Sequence, residues 1–209
     1  PVQACLYLDK QGLQQNVHNI VVAEEDSELH IITGCSTSPH LTKGMHVGVS
    51  EFFVKKNAKL SFTMIHNWAE DMVVRPRSVA QVEAGGLFLN NYVCMKPVRS
   101  LQMYPVTHLV GEDAVARFYS IIVGSPGSEY DVGGRIFLKK PGTRAEIIAR
   151  TISNADVGSR SEDAVVISAA EDDHMMSFLS FTLGKGAPKA VPLELISRLE
   201  EIDVKDIEV

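Results

Sequence analysis

Val54-Lys55-Lys56-Asn57-Ala58-Lys59-Leu60-Ser61-Phe62-Thr63-Met64-Ile65-His66-Asn67-Trp68 is the stretch whose reading decides the fold. A strand end leads into a polar turn, and the turn into an alternating run. Leu60, Phe62, Met64, His66 and Trp68 fall on one face; Ser61, Thr63, Ile65 and Asn67 fall on the other. Alternation with a period of two means a strand with one buried face. That face carries three apolar residues, then a histidine and the sole tryptophan of the chain. Upstream, Leu29, Ile31, Thr33 and Cys35 alternate in the same way, which puts a thiol on an apolar face.

The same unit recurs along the chain. Copies run over Val22–Ile31, Val54–Phe62, Val82–Leu89, Val110–Phe118 and Leu138–Ile147, with a weaker one over Ala170–Met176. Their turns are built on Glu-Asp, Asn-Ala, Gly-Gly or Pro-Gly, where Gly and Asn tolerate positive φ and Pro presets the turn. A recurrence of roughly 27 to 32 residues points to a solenoid. Short strands without helical periodicity make the chain all-β, and the period predicts a β-solenoid with two strand–turn units per repeat. A β-sandwich is the rival, because frequent short strands and turns look alike there. Gly124-Ser125-Pro126-Gly127-Ser128 reads as a loop. Pro192 followed by Leu193, Leu195, Ile196, Leu199 and Ile202 has helix-like spacing and predicts a short helical tail, whereas Asp203–Val209 alternates like a strand. No linker divides the chain, so residues 1–209 are expected to form a single β-helix core domain.

With 209 residues the chain can bury a sizeable core in one domain, or two small ones. A formal net charge of −6 argues against non-specific binding to nucleic acid or to an anionic membrane. No run approaches the roughly 18 apolar residues of a membrane span, and no signal peptide opens the sequence. Three cysteines, an odd number without close pairing, do not make a disulfide framework, so a reducing cytoplasm is expected. The sequence begins at Pro1 and reads as a fragment, a trimmed chain or a processed product.

Cys5, Cys35 and Cys94 lie too far apart for a CxxC metal pattern. Cys35, just after Gly34, is either a small buried hydrophobe or a sulfur acceptor whose reactivity depends on a lowered pKa. Cys94 lies opposite Leu87, Leu89 and Val93 and is expected to face out or into a second layer, without a role. His46 and Glu51 are five residues apart on one strand and face opposite sides, so they cannot share one metal without a bulge. Glu51 shares the face of Val47, Val49 and Phe53, where a carboxylate needs a partner. His66 and Trp68 read as a hydrogen-bonded core pair or, in a narrow solenoid, as polar groups marking a passage. Walker, GxGxxG, HExxH and Gly-x-Ser-x-Gly patterns are absent. Glu171-Asp172-Asp173-His174 is read as a turn of the repeat in preference to a metal cluster.

At these residues the sequence resembles the SufB/SufD family, the scaffold core of the SUF iron–sulfur assembly system. The resemblance runs from Pro1 to about Ile167. It rests on Gly34-Cys35 after an acidic turn, on His46 and Glu51, and on Lys56-Asn57-Ala58-Lys59 leading to Asn67-Trp68. Tyr104-Pro105, Gly111-Glu112, Asp131-Val132-Gly133 and Thr151-Ile152-Ser153-Asn154 continue it. The resemblance implies a right-handed parallel β-helix and a non-enzymatic scaffold. It also implies partners: a SufC-type ABC ATPase, a SufB/SufD-type partner or a second copy in a homodimer, and a cysteine desulfurase or sulfur carrier. Sulfur would enter on Cys35 and cross the lumen to a second cysteine, where a transient Fe–S cluster forms. His66 and Trp68 occupy lumen positions where the SufB type has Gln and Trp. The second cysteine is missing, with Ser177 near its place, as are the family's C-terminal His-Glu-Ala segment and helical domain. Other lumen positions differ at Tyr7, Asp9 and Pro76 beside Arg75. The chain reads as a divergent archaeal or bacterial relative, or a core fragment.

The expectation is therefore a scaffold component of SUF-type assembly, with Cys35 as sulfur acceptor. His46, Glu51, His66 and Trp68 would support the lumen or cluster; no metal ligands are assigned. The alternative is a β-helix dimerisation domain of the same family without sulfur chemistry. A β-solenoid carbohydrate enzyme would need paired carboxylates on a groove, and the sequence offers no such pair.

Overall fold

The computed structural model describes residues 1–124, 126–153, 158–167, 175–183 and 194–197. Among them are fifteen strands and no helix. One parallel sheet pairs β1 (Val2–Leu8), β3 (Glu28–Thr37), β5 (Lys59–Asn67), β7 (Leu87–Cys94), β10 (Val115–Gly124), β12 (Arg144–Ser153) and β14 (Met175–Leu183), in that order. The other runs β2 (Gln14–Ala23), β4 (Lys43–Val54), β6 (Asp71–Val82), β8 (Ser100–Met103), β11 (Glu129–Leu138), β13 (Gly158–Ile167) and β15 (Glu194–Ser197). Beyond β8, β9 (Val106–Leu109) fills the same rung between β6 and β11. The chain alternates between the sheets, so each coil gives one strand to each. All the pairings are parallel, which a sandwich of hairpins cannot be. The chain is a parallel β-solenoid, with the two strands per repeat that the period predicts.

The polar turns of the repeat stack into one column. Asp26, Asn57, Gly85, Asp113 and Gly142 all have φ between 56° and 69°. Gly, Asn and Asp are the residues that adopt this left-handed conformation most readily. Each turn is tied to the next: the amides of Asp26, Asn57, Gly85 and Asp113 donate to the carbonyls of Lys56, Ala84, Glu112 and Pro141 at 2.8–3.1 Å. Asn57 Nδ2 adds a bond to Asp26 Oδ1 at 2.9 Å. The column thereby sets the register of every coil above and below it. Gly111 enters the fourth of these turns so closely that a Cβ there would sit on the backbone of Ala84. Gly111→Ala must push two coils apart. Its expected cost is at least the 1–3 kcal/mol typical of overpacking, about enough to be plain in a urea melt. An unchanged midpoint would show that the turn column gives way without penalty.

The interior divides in two. Beside the turn column lies an apolar cluster in which Phe52 packs on Phe62 and Phe88, with centroids 4.7 and 5.1 Å apart. At the other corner of the coils, Leu8, Met72, Leu101, Ile122 and Tyr130 enclose Cys35, Trp68, Tyr92 and Cys94. Between the clusters is a cavity of about 50 Å³, lined in part by Met64, Asn90, Tyr92, Ser120, Gly134 and Ala149. Small and polar side chains at mid-strand cannot fill the gap between sheets about 10 Å apart.

One expectation is corrected at the end of the chain. Glu194–Ser197, placed in a helix by its spacing, is strand β15, paired in parallel with Ala164–Ile167. The open edge of a sheet offers unpaired backbone groups, and that tertiary pairing overrides local spacing. Residues 192–193 and 198–209, with the rest of the expected helix and the final alternating run, lie outside the described residues. So does the turn Glu171–His174. Ser177 lies in β14, in register with Glu146.

Candidate functional site

The turn column fixes where the reactive side chains fall. Nine residues beyond Asp26, Asn57 and Gly85 stand Cys35, His66 and Cys94, on β3, β5 and β7. Sheet pairing confirms the alignment, Cys35 opposite His66 and His66 opposite Cys94. Adjacent parallel strands are about 4.8 Å apart, so thiol, imidazole and thiol form one rung-by-rung column facing the interior. Leu6 precedes this column and Ile122 follows it.

From the facing sheet, His46 on β4 points into the same space, and Trp68 closes the corner after β5. The His46 ring lies 4.8 Å from Trp68 and 5.7 Å from His66, and His66 lies 5.5 Å from Trp68 (centroid distances). His46 Nδ1 donates to Gln15 Oε1 at 2.9 Å, since a carbonyl oxygen can only accept. That bond selects the tautomer with its lone pair on Nε2. His66 Nδ1 is bonded to the Tyr92 hydroxyl at 2.9 Å. The remaining ring nitrogen of His66, Nε2, and the indole Nε1 of Trp68 are buried without a partner. Ligand atoms of Cys35, His46 and His66 all lie within 4.8 Å of one another.

Burial dominates the electrostatics. It pushes the Cys35 thiol up to about 12, with Cys5 adding a smaller push, and the Cys94 thiol up to about 11. Burial holds His46 down at about 4. His66 falls to about 3, first through burial and then through the nearby His46. At neutral pH the group is therefore uncharged: two neutral imidazoles and protonated thiols. An uncharged group avoids the cost of burying unpaired charge. Neutral imidazole is also the form that offers a lone pair.

The structure brings together four of the five residues singled out in the sequence: Cys35, His46, His66 and Trp68. Glu51 stands apart. It lies on the outer face of β4, and His18 Nε2 on β2 is 2.6 Å from its Oε1. That contact is the partner a carboxylate among apolar neighbours requires, and it serves the surface, not the lumen. Cys94 must also be corrected. It is buried, 1% exposed, on the face of Phe88 and Tyr92, while Leu87, Leu89 and Val93 point the other way. The apolar count along β7 alone misled; counting from the turn would have placed Cys94 in line with Cys35. Tyr92 and Gln15, which hold the two imidazoles, carry no sequence signal of their own.

The chain's relatives bear on what this interior does. Residues 6–162 match the family described as "SUF system FeS cluster assembly, SufBD core domain". An iron-sulfur cluster assembly SufBD family protein of Archaeoglobus fulgidus is 56% identical over 153 residues, 73% of this chain and 41% of the relative. One from Methanothermobacter thermautotrophicus is 46% identical over 153 residues, 73% of this chain and 37% of the relative. Iron-sulfur cluster assembly protein SufB of Bacillus subtilis is 26% identical over 155 residues, 73% of this chain and 33% of that protein. The matched part thus spans about two fifths or less of these relatives.

Proposed function

This chain belongs to the SufBD core family of the SUF iron–sulfur cluster assembly system, and from that premise we propose that it is a scaffold subunit which receives sulfur on Cys35. The column of Cys35, His66 and Cys94 is the observation that carries this reading. In the transfer, the Cys35 thiolate attacks the outer sulfur of a persulfide on a cysteine desulfurase or sulfur carrier. A new S–S bond forms at Cys35, the donor's S–S bond breaks, and the donor thiolate takes up the proton that Cys35 gave up. Cys94, two rungs on, is a second internal thiol, on β7 and away from the late-strand position near Ser177 where the family's second cysteine is expected.

An Fe–S cluster would be cargo. Such clusters take four protein ligands, usually thiolates. Cys35 and Cys94 are the buried thiols and Cys5 is exposed, so a cluster would take further ligands from beyond this pair. A SufB/SufD-type partner or a second copy would work with this chain, with a SufC-type ATPase driving the assembly. ATPase and desulfurase would carry the enzymatic steps. Three free thiols fit a reducing cytoplasm. No helix among the described residues is long and apolar enough to cross a membrane.

A second reading, a dimerisation domain without sulfur chemistry, is favoured by one observation. Cys35 is only 1% exposed, and burial keeps its thiol protonated. Sulfur transfer therefore requires the coil corner to open. Incubation with a cysteine desulfurase and cysteine is expected to add the mass of one sulfur to the intact protein, lost in Cys35→Ser. If peptide mapping finds the added sulfur only on exposed Cys5, or finds none, the interaction-domain reading stands instead.

A further inference from the structure

We propose that Cys35, His46 and His66 form an internal binding site for a single divalent metal ion of the zinc class. One thiolate and two imidazoles are a donor set that suits Zn²⁺ and leaves a fourth coordination position free. All three side chains are at most 2% exposed and come from three different strands, β3, β4 and β5. They meet because strand register places Cys35 beside His66 and because the facing sheet turns His46 toward them.

Two features mark the group as more than polar residues stranded in a core. The first is His66 Nε2, a buried nitrogen without any partner, which costs free energy unless something binds it. The second is the support behind each ring. Metal-binding histidines usually bond a second group through the nitrogen that does not touch the metal, which fixes tautomer and ring orientation. Here Gln15 holds Nδ1 of His46 and Tyr92 holds Nδ1 of His66, leaving Nε2 of both rings to the metal.

Distances are close to those required. Ligand atoms around tetrahedral zinc lie about 3.3–3.6 Å apart, given metal–ligand bonds of about 2.0–2.3 Å. The three donors lie within 4.8 Å of one another, so a contraction of about an ångström completes the site. Loading requires the Cys35 thiol to give up its proton, since the thiolate is the ligand. Tyr92, which holds His66, also lines the cavity between the two clusters. Cys94 is outside the group: its Sγ donates to the Lys96 carbonyl at 3.4 Å. Metal and persulfide exclude one another on Cys35, but the site does not depend on the sulfur reading.

The test is titration of the chelator-treated chain with Co²⁺, followed by X-ray absorption of the Zn²⁺-loaded protein. Expected are one equivalent bound, a thiolate-to-cobalt charge-transfer band, and a zinc shell of one sulfur and two imidazole nitrogens. Cys35→Ser should abolish the band, while Cys5→Ser and Cys94→Ser keep it. Tyr92→Phe removes the support of His66 together with a bond to Cys94, which is outside the site, and should weaken binding about 10-fold or more. A wild-type zinc shell without sulfur, absence of stoichiometric binding, or a band that survives Cys35→Ser would overturn the proposal. Spectra of the wild-type chain decide it even if a variant fails to fold.

Discussion

Lowering the pH from 7 to 5 is expected to cost the metal-free protein about 4 kcal/mol of stability, roughly 2 from each buried histidine. The sign follows from which state binds protons. Unfolded, a histidine titrates near 6.5, whereas His46 is held at about 4 and His66 at about 3 in the fold. Between those values the unfolded chain carries two protons that the folded chain refuses. Stability is therefore fully present above about pH 6.5 and drains away as the pH falls through the unfolded value toward the folded ones. His108, also lowered by burial and then by Lys139, adds in the same direction. Urea melts at half-unit steps should give a slope approaching two protons. His66→Gln should remove about one of them, because glutamine keeps a polar side chain there but cannot titrate. Melts that hold level from pH 7 to 5 would mean that water or a proton acceptor reaches the rings, contradicting their burial.

The architecture was legible because it repeats. One polar turn is ambiguous, but turns spaced at a near-constant interval from Asp26 to Gly142 leave little besides a solenoid, and the column of left-handed residues is its physical cause. Legibility failed where a residue's place depends on the opposite sheet or on a distant edge. Apolar neighbours on its own strand point Cys94 to the wrong face. In a solenoid, however, outward positions also carry apolar residues such as Ile65 and Val79. The turn, not the apolar count, tells inside from outside. Gln15 and Tyr92 show a second limit: each matters through a single bond to an imidazole, and no periodicity announces it. Leu195 and Ile196 show a third, since the strand they form exists by pairing with β13.

Trp68→Ala is expected to cost about 3–5 kcal/mol, the range for removing a large buried aromatic from a well-packed core. Trp68 has no exposed surface, and it seals the corner of the coil over His46 and His66. Its removal does two things that can be told apart. Lost packing lowers stability at every pH. Water entering the cavity also reaches the two imidazoles and weakens the desolvation that depresses their pKa values. The variant should therefore be less stable at pH 7 yet lose less on acidification, its melts approaching the wild-type curve as the pH falls toward 5. Trp68→Phe separates the terms from the other side. It keeps most of the aromatic volume and deletes a buried indole N–H that has no partner, so its cost should be smaller, about 1 kcal/mol, with the pH slope intact. Parallel loss at all pH values in Trp68→Ala would show that the tryptophan only fills space. A flattened slope would show that the same side chain that packs the corner also keeps the buried histidines neutral, the state in which they can act as lone-pair donors.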